Sequence, residues 1–475
     1  MSGPNVIRLP SACNRLARVD VALAAFRRKV EAQVARAEGG GDLGYGQFEQ
    51  QLHELGRKLE RAAQGDVLAA TRPRSSRVVV DGVEYRRMAE EKTGEYLGLY
   101  GAIAVERHLY RQVGVRNGPT IDPIALRCGL VEGRMTPAAA VAFGHVGQAA
   151  CWREGADICK SLGVLPYSRS TLQRNGLVVG AVWDNQCPEL EDQLLAEFKV
   201  PKKAATLSVS VDRVSIPMAE DREPTALDLE RGVENPISVV KRMAYCGVWT
   251  LHDAEGKPLH SVRYAYAPSR GSGALEVSLR EDVRALLAKR PHLRVVALAD
   301  GAPEMQNILD RSLAGIKVEA KLIDFWHLLQ KLSEAAASTG RDAKHVASRF
   351  AEQLKGSDGA IEDIHSELLD WADATVGEFG GLPEELYAAL TYIENNGDRM
   401  RYASIRNRRL PIGSGHVEAT CKTIVSVRFK RSGARWRPEG TQSILGLRAL
   451  ATSSRWTPAM RLLTASYAQQ VREAA

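Results

Sequence analysis

Leu293-Arg294-Val295-Val296-Ala297-Leu298-Ala299-Asp300-Gly301 is an apolar run that stops on a carboxylate, and its reading decides the fold. A short, nearly continuous apolar segment between turn signals is a strand buried on both faces, as in a parallel sheet. Immediately upstream, Leu275, Val277, Leu279, Val283, Leu286 and Leu287 recur at helical spacing and predict an amphipathic helix over 274–289. Before that helix, Arg242 to Leu251 and His260 to Ala267 read as strands joined by a turn at Asp253 to Lys257. Thr206-Leu207-Ser208-Val209-Ser210-Val211-Asp212 alternates and ends on a second carboxylate. Downstream, a helix at about 303–313 leads into the strand Val318 to Ile323, which ends on Asp324. The predicted order is β-β-β-α-β-α-β, three antiparallel strands followed by right-handed crossovers. This is an α/β core, a mixed five-stranded sheet flanked by helices.

The rest of the chain frames that core. With 475 residues, 44% of them apolar and 25% charged, the composition is that of a globular protein of two to four domains. The net charge of +7 argues only weakly for a polyanionic partner, but its distribution is uneven. Residues 332–400 carry 14 acidic against 5 basic side chains and read as helical. Residues 401–437 carry 10 basic side chains against the single acid Glu418. The first residues lack the apolar core of a secretory signal, and no run approaches the ~18 apolar residues of a membrane span. No membrane partner is expected, and a cytoplasmic location is. Seven scattered cysteines (Cys13, Cys128, Cys151, Cys159, Cys187, Cys246, Cys421) form no Cys-x-x-Cys pair and read as buried, reduced thiols. The absence of a G-x-x-x-x-G-K-[ST] loop argues against a nucleotide-dependent small-molecule enzyme.

Toward the N-terminus, residues 14–64 read as helical, with Phe48, Leu52, Leu55, Leu59 and Ala62 on one stripe. That stripe fits either internal packing or a short dimer coil. Arg72 to Arg77 is a basic linker, and Val78 to Tyr85 reads as a hairpin turning on Asp81-Gly82. Thr136-Pro137 starts a helix, a second runs from about Arg153 to Leu162, Gly163 breaks it and Pro166 sits in the turn. A third helix opens at Ser168-Arg169-Ser170-Thr171-Leu172-Gln173-Arg174. The segment 136–183 therefore fits a helix-turn-helix in which Ser168, Arg169, Thr171, Gln173 and Arg174 reach phosphates and base edges. It fits equally a capped surface helix of a bundle.

Three acids carry the candidate chemistry. Asp212 and Asp300 end strands, and Glu418 opens a helix after the turn Pro411-Ile412-Gly413-Ser414-Gly415. Alone, each reads as a turn former, a cap or a helix-dipole acid. Together at one site they would repel and call for a hard divalent cation, Mg2+ or Mn2+. Two such ions ~3.5–4 Å apart activate a hydroxyl and stabilise the leaving oxygen of a phosphodiester. On the Glu418 helix, Val417, Cys421, Ile424 and Val425 form a core-facing stripe, and Lys422 lies one turn from Glu418, placed for a phosphate.

Ser208-Val209-Ser210-Val211-Asp212, Ala299-Asp300-Gly301-Ala302, Asp324-Phe325-Trp326-His327 and Ile412 to Lys422 resemble the corresponding blocks of bacterial insertion-sequence transposases of the ISKra type. Arg428-Phe429-Lys430-Arg431-Ser432-Gly433-Ala434-Arg435-Trp436 extends the resemblance, which covers roughly residues 120–450. It implies an RNase H-like catalytic core whose metal-binding catalytic triad is Asp212, Asp300 and Glu418, with auxiliary roles outside the triad for Asp324 and His327. It further implies two Mg2+ or Mn2+ ions, DNA contacts by Lys422, Arg428, Lys430, Arg431 and Arg435, and an all-helical insertion. The implied activity is binding of an element's terminal inverted repeats, cleavage there and strand transfer to target DNA, by a homo-oligomer assembled on DNA. The alternatives are a domesticated DNA-binding protein and an RNase H-like nuclease without strand transfer. The expected division is a helical region 1–70, a mostly helical DNA-binding region 71–200, a core in two parts (201–331 and 405–450) around an insertion at 332–404, and a helical tail 451–475.

Overall fold

A computed structural model describes residues 16–379, 381–413 and 415–474. Its packing divides the chain into two units, one reaching Val182 and including Thr457 onward, the other running from Trp183 to Trp456.

The first unit begins with the helices Ala17–Glu38 and Tyr45–Ala70, which pack on each other. The predicted apolar stripe of the second, from Phe48 to Ala62, is half-buried. A five-stranded antiparallel sheet follows, made of β1 (Arg77–Val80), β2 (Val83–Gly98), β3 (Gly101–Gln112), β4 (Thr120–Ile121) and β10 (Val471–Glu473), in the order β10-β1-β2-β3-β4. The predicted Asp-Gly turn joins β1 to β2, with φ of 48° at Asp81 and 77° at Gly82. That pair of positive angles is what a two-residue hairpin turn of matching twist demands.

Two expectations are corrected here. The region after residue 70 is not mostly helical, because β2 and β3 form a long hairpin. Its charged positions, Arg86, Arg87, Glu90, Glu91 and Lys92 among them, hid the alternation. The C-terminal tail is not all helix either. After the helix Trp456–Ala465 the chain returns as β10, where Val471 lies opposite Val80 and joins a small core with Val78 and Tyr110. The helices Pro123–Arg127, Pro137–Ala149 and Trp152–Leu162 complete the unit, together with the first half of the helix Arg169–Glu197.

In the second unit the strands and helices follow the predicted sequence, with one short helix, Ala226–Glu230, added between the first two strands. They are β5 (Thr206–Asp221), β6 (Ile237–His252), β7 (Pro258–Tyr266), the helix Gly271–Lys289, β8 (Arg294–Ala299), the helix Pro303–Ser312 and β9 (Val318–Ile323). The sheet order is β7-β6-β5-β8-β9, antiparallel through β7, β6 and β5, with β8 and β9 parallel to β5. β8 is buried on both faces, as its continuous apolar run requires. Val295, Ala297 and Ala299 join a core with Leu275, Leu279 and Ile308, while Val296 and Leu298 pack with Leu322, Ile405 and Leu410.

Two strand boundaries differ clearly from the prediction, and one of them is the start of β6, at Ile237 rather than Arg242. In the other, β5 does not end at Asp212 but continues to Asp221: β8 pairs only with Thr206 to Val211, while β6 accompanies β5 to its end and Met218 bridges to Trp436. Asp212 thus stands where β8 departs from the sheet. Beyond β9, the helices Phe325–Ser338, Ala343–Gly356, Ala360–Phe379, Glu384–Asn396 and Tyr402–Asn407 bury their own core around Leu332, Phe350, Ile364 and Leu386. The chain then passes through the helix Gly415–Thr420, a π-helical turn Cys421–Ser426 and the helix Pro438–Thr452. Among the described residues, no helix is long and apolar enough to cross a membrane.

Candidate active site

Register puts the first two acids side by side. Asp212 lies opposite Cys246 on β6, and Val211 lies beside Ala299 on β8, so the next residue on that side is Asp300. Both aspartates are half-buried. Asp212 Oδ1 accepts the Arg213 amide at 2.6 Å. Asp300 Oδ1 accepts the Ala302 amide at 3.2 Å, and the Gln306 side chain donates to the Asp300 carbonyl at 3.2 Å. Burial pushes the Asp212 carboxyl above its ordinary range, and the Asp300 charge adds to that. The Arg213 amide, the Cys421 thiol and the His327 imidazole act the other way. Among the described residues, no Arg or Lys forms an ion pair with either aspartate. The neighbouring Arg213 is instead paired with Glu304, which also accepts the Tyr245 hydroxyl at 2.8 Å.

Asp324 comes to the same end of the sheet. Its amide donates to the Ala299 carbonyl at 2.9 Å, and its carboxylate caps the following helix by accepting the His327 amide at 2.8 Å. It is buried, so it stands behind the acid row as a cap. His327 is exposed, and its imidazole is close enough to bear on Asp212.

The loop before Glu418 docks on this junction. Phe325 donates its amide to the Ile412 carbonyl at 3.2 Å. A Cβ at Gly413 would stand 2.9 Å from the Trp326 indole, so a side chain there would force the two segments apart. Ser414, in the same turn, lies outside the described residues. The helix Gly415–Thr420 packs against β5 and β6, and its Val417, with Cys421, Ile424 and Val425 of the π-helical turn that continues it, forms the predicted buried stripe. Cys421 directs its thiol at Asp212 and Cys246.

Glu418 precedes Cys421 by one turn, but its side chain is exposed and bonded to Lys422 Nζ at 2.5 Å. The structure therefore brings together Asp212, Asp300 and His327, with Asp324 behind them, and holds the Glu418 carboxylate on Lys422. Among the described residues, no three His, Cys, Asp or Glu side chains are grouped to hold a metal ion. The two aspartates do fit one in part: they are hard oxygen donors, they repel each other, and neither has an Arg or Lys ion pair among the described residues.

The remaining predicted residues divide. Lys430, Arg431 and Arg435 are exposed. Arg428 is not: it is 6% exposed and lies over the Trp436 ring at 4.8 Å, so its guanidinium serves the core rather than a phosphate. This corrects its assignment as a DNA contact. In the first unit, Ser168 Oγ accepts the Thr171 amide at 3.2 Å and caps the helix Arg169–Glu197. Ser168, Arg169, Gln173 and Arg174 are exposed and Thr171 is half-buried. Of the cysteines, Cys159, Cys246 and Cys421 are buried as read. Cys128, Cys151 and Cys187 are only half-buried, and Cys13 lies outside the described residues.

Two contributors went unread in the sequence. The Cys421 position was legible as core, but not its contact with Asp212. Tyr392, which reaches the Asp300 turn, sits in an acidic helix with no local pattern to mark it. Compared with known protein families, curated proteins and solved structures, the chain matches none.

Proposed function

We propose that the protein is a DNA transposase with an RNase H-like core, which cleaves at the ends of its own element and joins them to target DNA. The observation that carries this reading is the adjacency of Asp212 and Asp300 at the fork of β5 and β8, with no Arg or Lys ion pair on either among the described residues. Two carboxylates so placed favour a bound divalent cation. Asp212 and Asp300 would hold Mg2+ or Mn2+, and Glu418 would join them by exchanging Lys422 for the metal. When bound, the ions supply Lewis-acid stabilisation and an activated hydroxyl. The exposed Lys430, Arg431 and Arg435, and Lys422 once released, would hold the phosphate backbone. His327 would face the DNA strand beside Asp212. End recognition is assigned to the exposed first turns of the helix that opens at Arg169.

The deciding experiment uses duplexes carrying the inverted repeats that flank the gene. Asp300→Asn should bind them as wild type does and lose cleavage in Mg2+ by at least about 10²-fold, equivalent to ~3 kcal/mol of transition-state stabilisation. Retained cleavage would end the assignment. Ends that are cut but never joined to target would make the protein a nuclease instead. Arg169→Ala with Arg174→Ala should weaken end binding and lower its salt slope by about 2, one for each phosphate no longer neutralised. Unchanged binding would move recognition to another surface.

A further inference from the structure

The helical block between β9 and the Glu418 helix reaches into the acid row. Tyr392, on the helix Glu384–Asn396, places its hydroxyl 3.1 Å from the Gly301 nitrogen and accepts that amide's hydrogen. Gly301 directly follows Asp300. The approach restricts residue 301, because a Cβ there would stand 2.3 Å from the Tyr392 ring and 3.0 Å from Asn396 Nδ2.

The tyrosine is held from its own side as well. The Lys331 ammonium lies over its ring at 4.9 Å, and Asn396 Nδ2 donates to its carbonyl at 2.8 Å. Burial, with Asp300 and Asp324 adding to it, pushes the phenol well above its ordinary range. Its hydroxyl accepts one hydrogen bond while keeping its own proton.

The peptide around Asp300 is fixed at three points. The Ala302 amide on Oδ1 and the Gln306 side chain on the carbonyl come from the turn and the helix that directly follow Asp300. The hydroxyl on the Gly301 amide comes from a helix about ninety residues away in the chain, at position 392. We infer that Tyr392 is a positioning residue for Asp300: by fixing the Asp300–Gly301 peptide, it sets the direction in which the Asp300 carboxylate meets a divalent cation shared with Asp212. The inference rests on the reading of Asp300 as a metal ligand. It makes the helical block a working part of the site.

The test is direct Mn2+ binding to the full chain without DNA, followed by electron paramagnetic resonance of the free ion. Tyr392→Phe keeps the ring and its Lys331 contact and removes only the oxygen. Its Mn2+ dissociation constant should rise about 10-fold or more, the usual effect of removing a group that orients a ligand. Tyr387→Phe, an exposed position on the same helix, should leave it unchanged. A purely structural tyrosine would alter the melting temperature and not the Mn2+ constant, so wild-type Mn2+ affinity in Tyr392→Phe overturns the inference. Asp300→Asn separates the two levels. If it loses Mn2+ while Tyr392→Phe does not, the positioning role alone falls. If Asp300→Asn binds Mn2+ like wild type, or wild type binds none, the proposed function falls and the inference with it.

Discussion

Two acid pairs lie within the second unit, and they are treated in opposite ways. Glu191 is ion-paired with Arg455, and Asp282 accepts the Trp249 indole N–H and the Tyr264 hydroxyl, each at 2.5 Å. Burial raises both carboxyls, Glu191 to about 7, and Arg455 opposes the rise in each case. Asp212 and Asp300 are also partly buried, and the Asp300 charge adds to the burial that raises the Asp212 carboxyl, yet they receive only backbone amides, a thiol and an imidazole. The first pair carries its own guanidinium and is a finished piece of structure. The second is left short of positive charge at the fork of a sheet, and that shortage is what suits it to an external cation.

The largest stability effect expected from this contrast is at Arg455. Arg455→Met should destabilise the second unit by about 3–5 kcal/mol at pH 8, above the Glu191 titration, because there it leaves a buried carboxylate without its partner. Glu191 has a raised folded pKa, so its favourable contribution is fully present below the unfolded value and is lost as pH rises through about 7. The defect should therefore shrink as the pH falls toward 5. Replacing both partners, Glu191→Leu with Arg455→Met, should come back close to wild type. Urea unfolding across pH 5 to 8 checks all three outcomes. If the single variant were as stable as wild type, the two acid pairs would not differ in kind.

A middle-sized effect is expected where Asp282 is held. Trp249→Phe keeps an aromatic ring in the core and removes one donor to a buried carboxylate. It should cost about 1.5–3 kcal/mol, read from the urea midpoint at constant slope. Loss of a donor near Asp212 should cost less, since that carboxylate is less buried and already short of partners.

How far the contrast could be foreseen depends on the kind of signal. The order of strands in the second unit was legible, because each apolar run and each helical stripe is a local pattern. Val318 to Ile323 was placed at the same bounds as β9. Asp212 and Asp300 were legible as acids following such runs. What no local pattern carries is a partner distant in sequence. Glu191 and Arg455 are 264 positions apart, and Tyr392 is 91 from Gly301. Glu418 is legible as a lone acid in a basic segment, but Lys422, which the helix spacing places for a phosphate, is bonded to Glu418 instead. The β2–β3 hairpin escaped because its alternation sets charged against half-buried residues, a weak contrast in hydrophobicity. Arg428 escaped for the reverse reason: composition counts a guanidinium as surface charge, whereas its planar face packs on Trp436.

The smallest expected effect is also the most discriminating. Asp212→Asn keeps a side-chain oxygen to accept the Arg213 amide and removes the charge that burial and Asp300 disfavour. The variant should be more stable than wild type by about 1 kcal/mol, or ~2 °C in Tm, in metal-free buffer at pH 7 to 8. The sign follows from linkage. Because the folded carboxyl is raised, wild type has its full relative stability below the unfolded pKa and loses it as pH rises through the folded one. The gain from Asn should therefore vanish in acid and level off above that window. Adding Mn2+ should reverse the ranking, since a cation at 100 times its dissociation constant stabilises wild type by about 2.7 kcal/mol and has lost a ligand in the variant. Calorimetry with and without Mn2+ reads both steps. An Asn variant that melts below wild type at every pH, with no reversal in Mn2+, would mean that Asp212 is satisfied by the protein in the manner of Asp282, and the distinction between the two pairs would be lost.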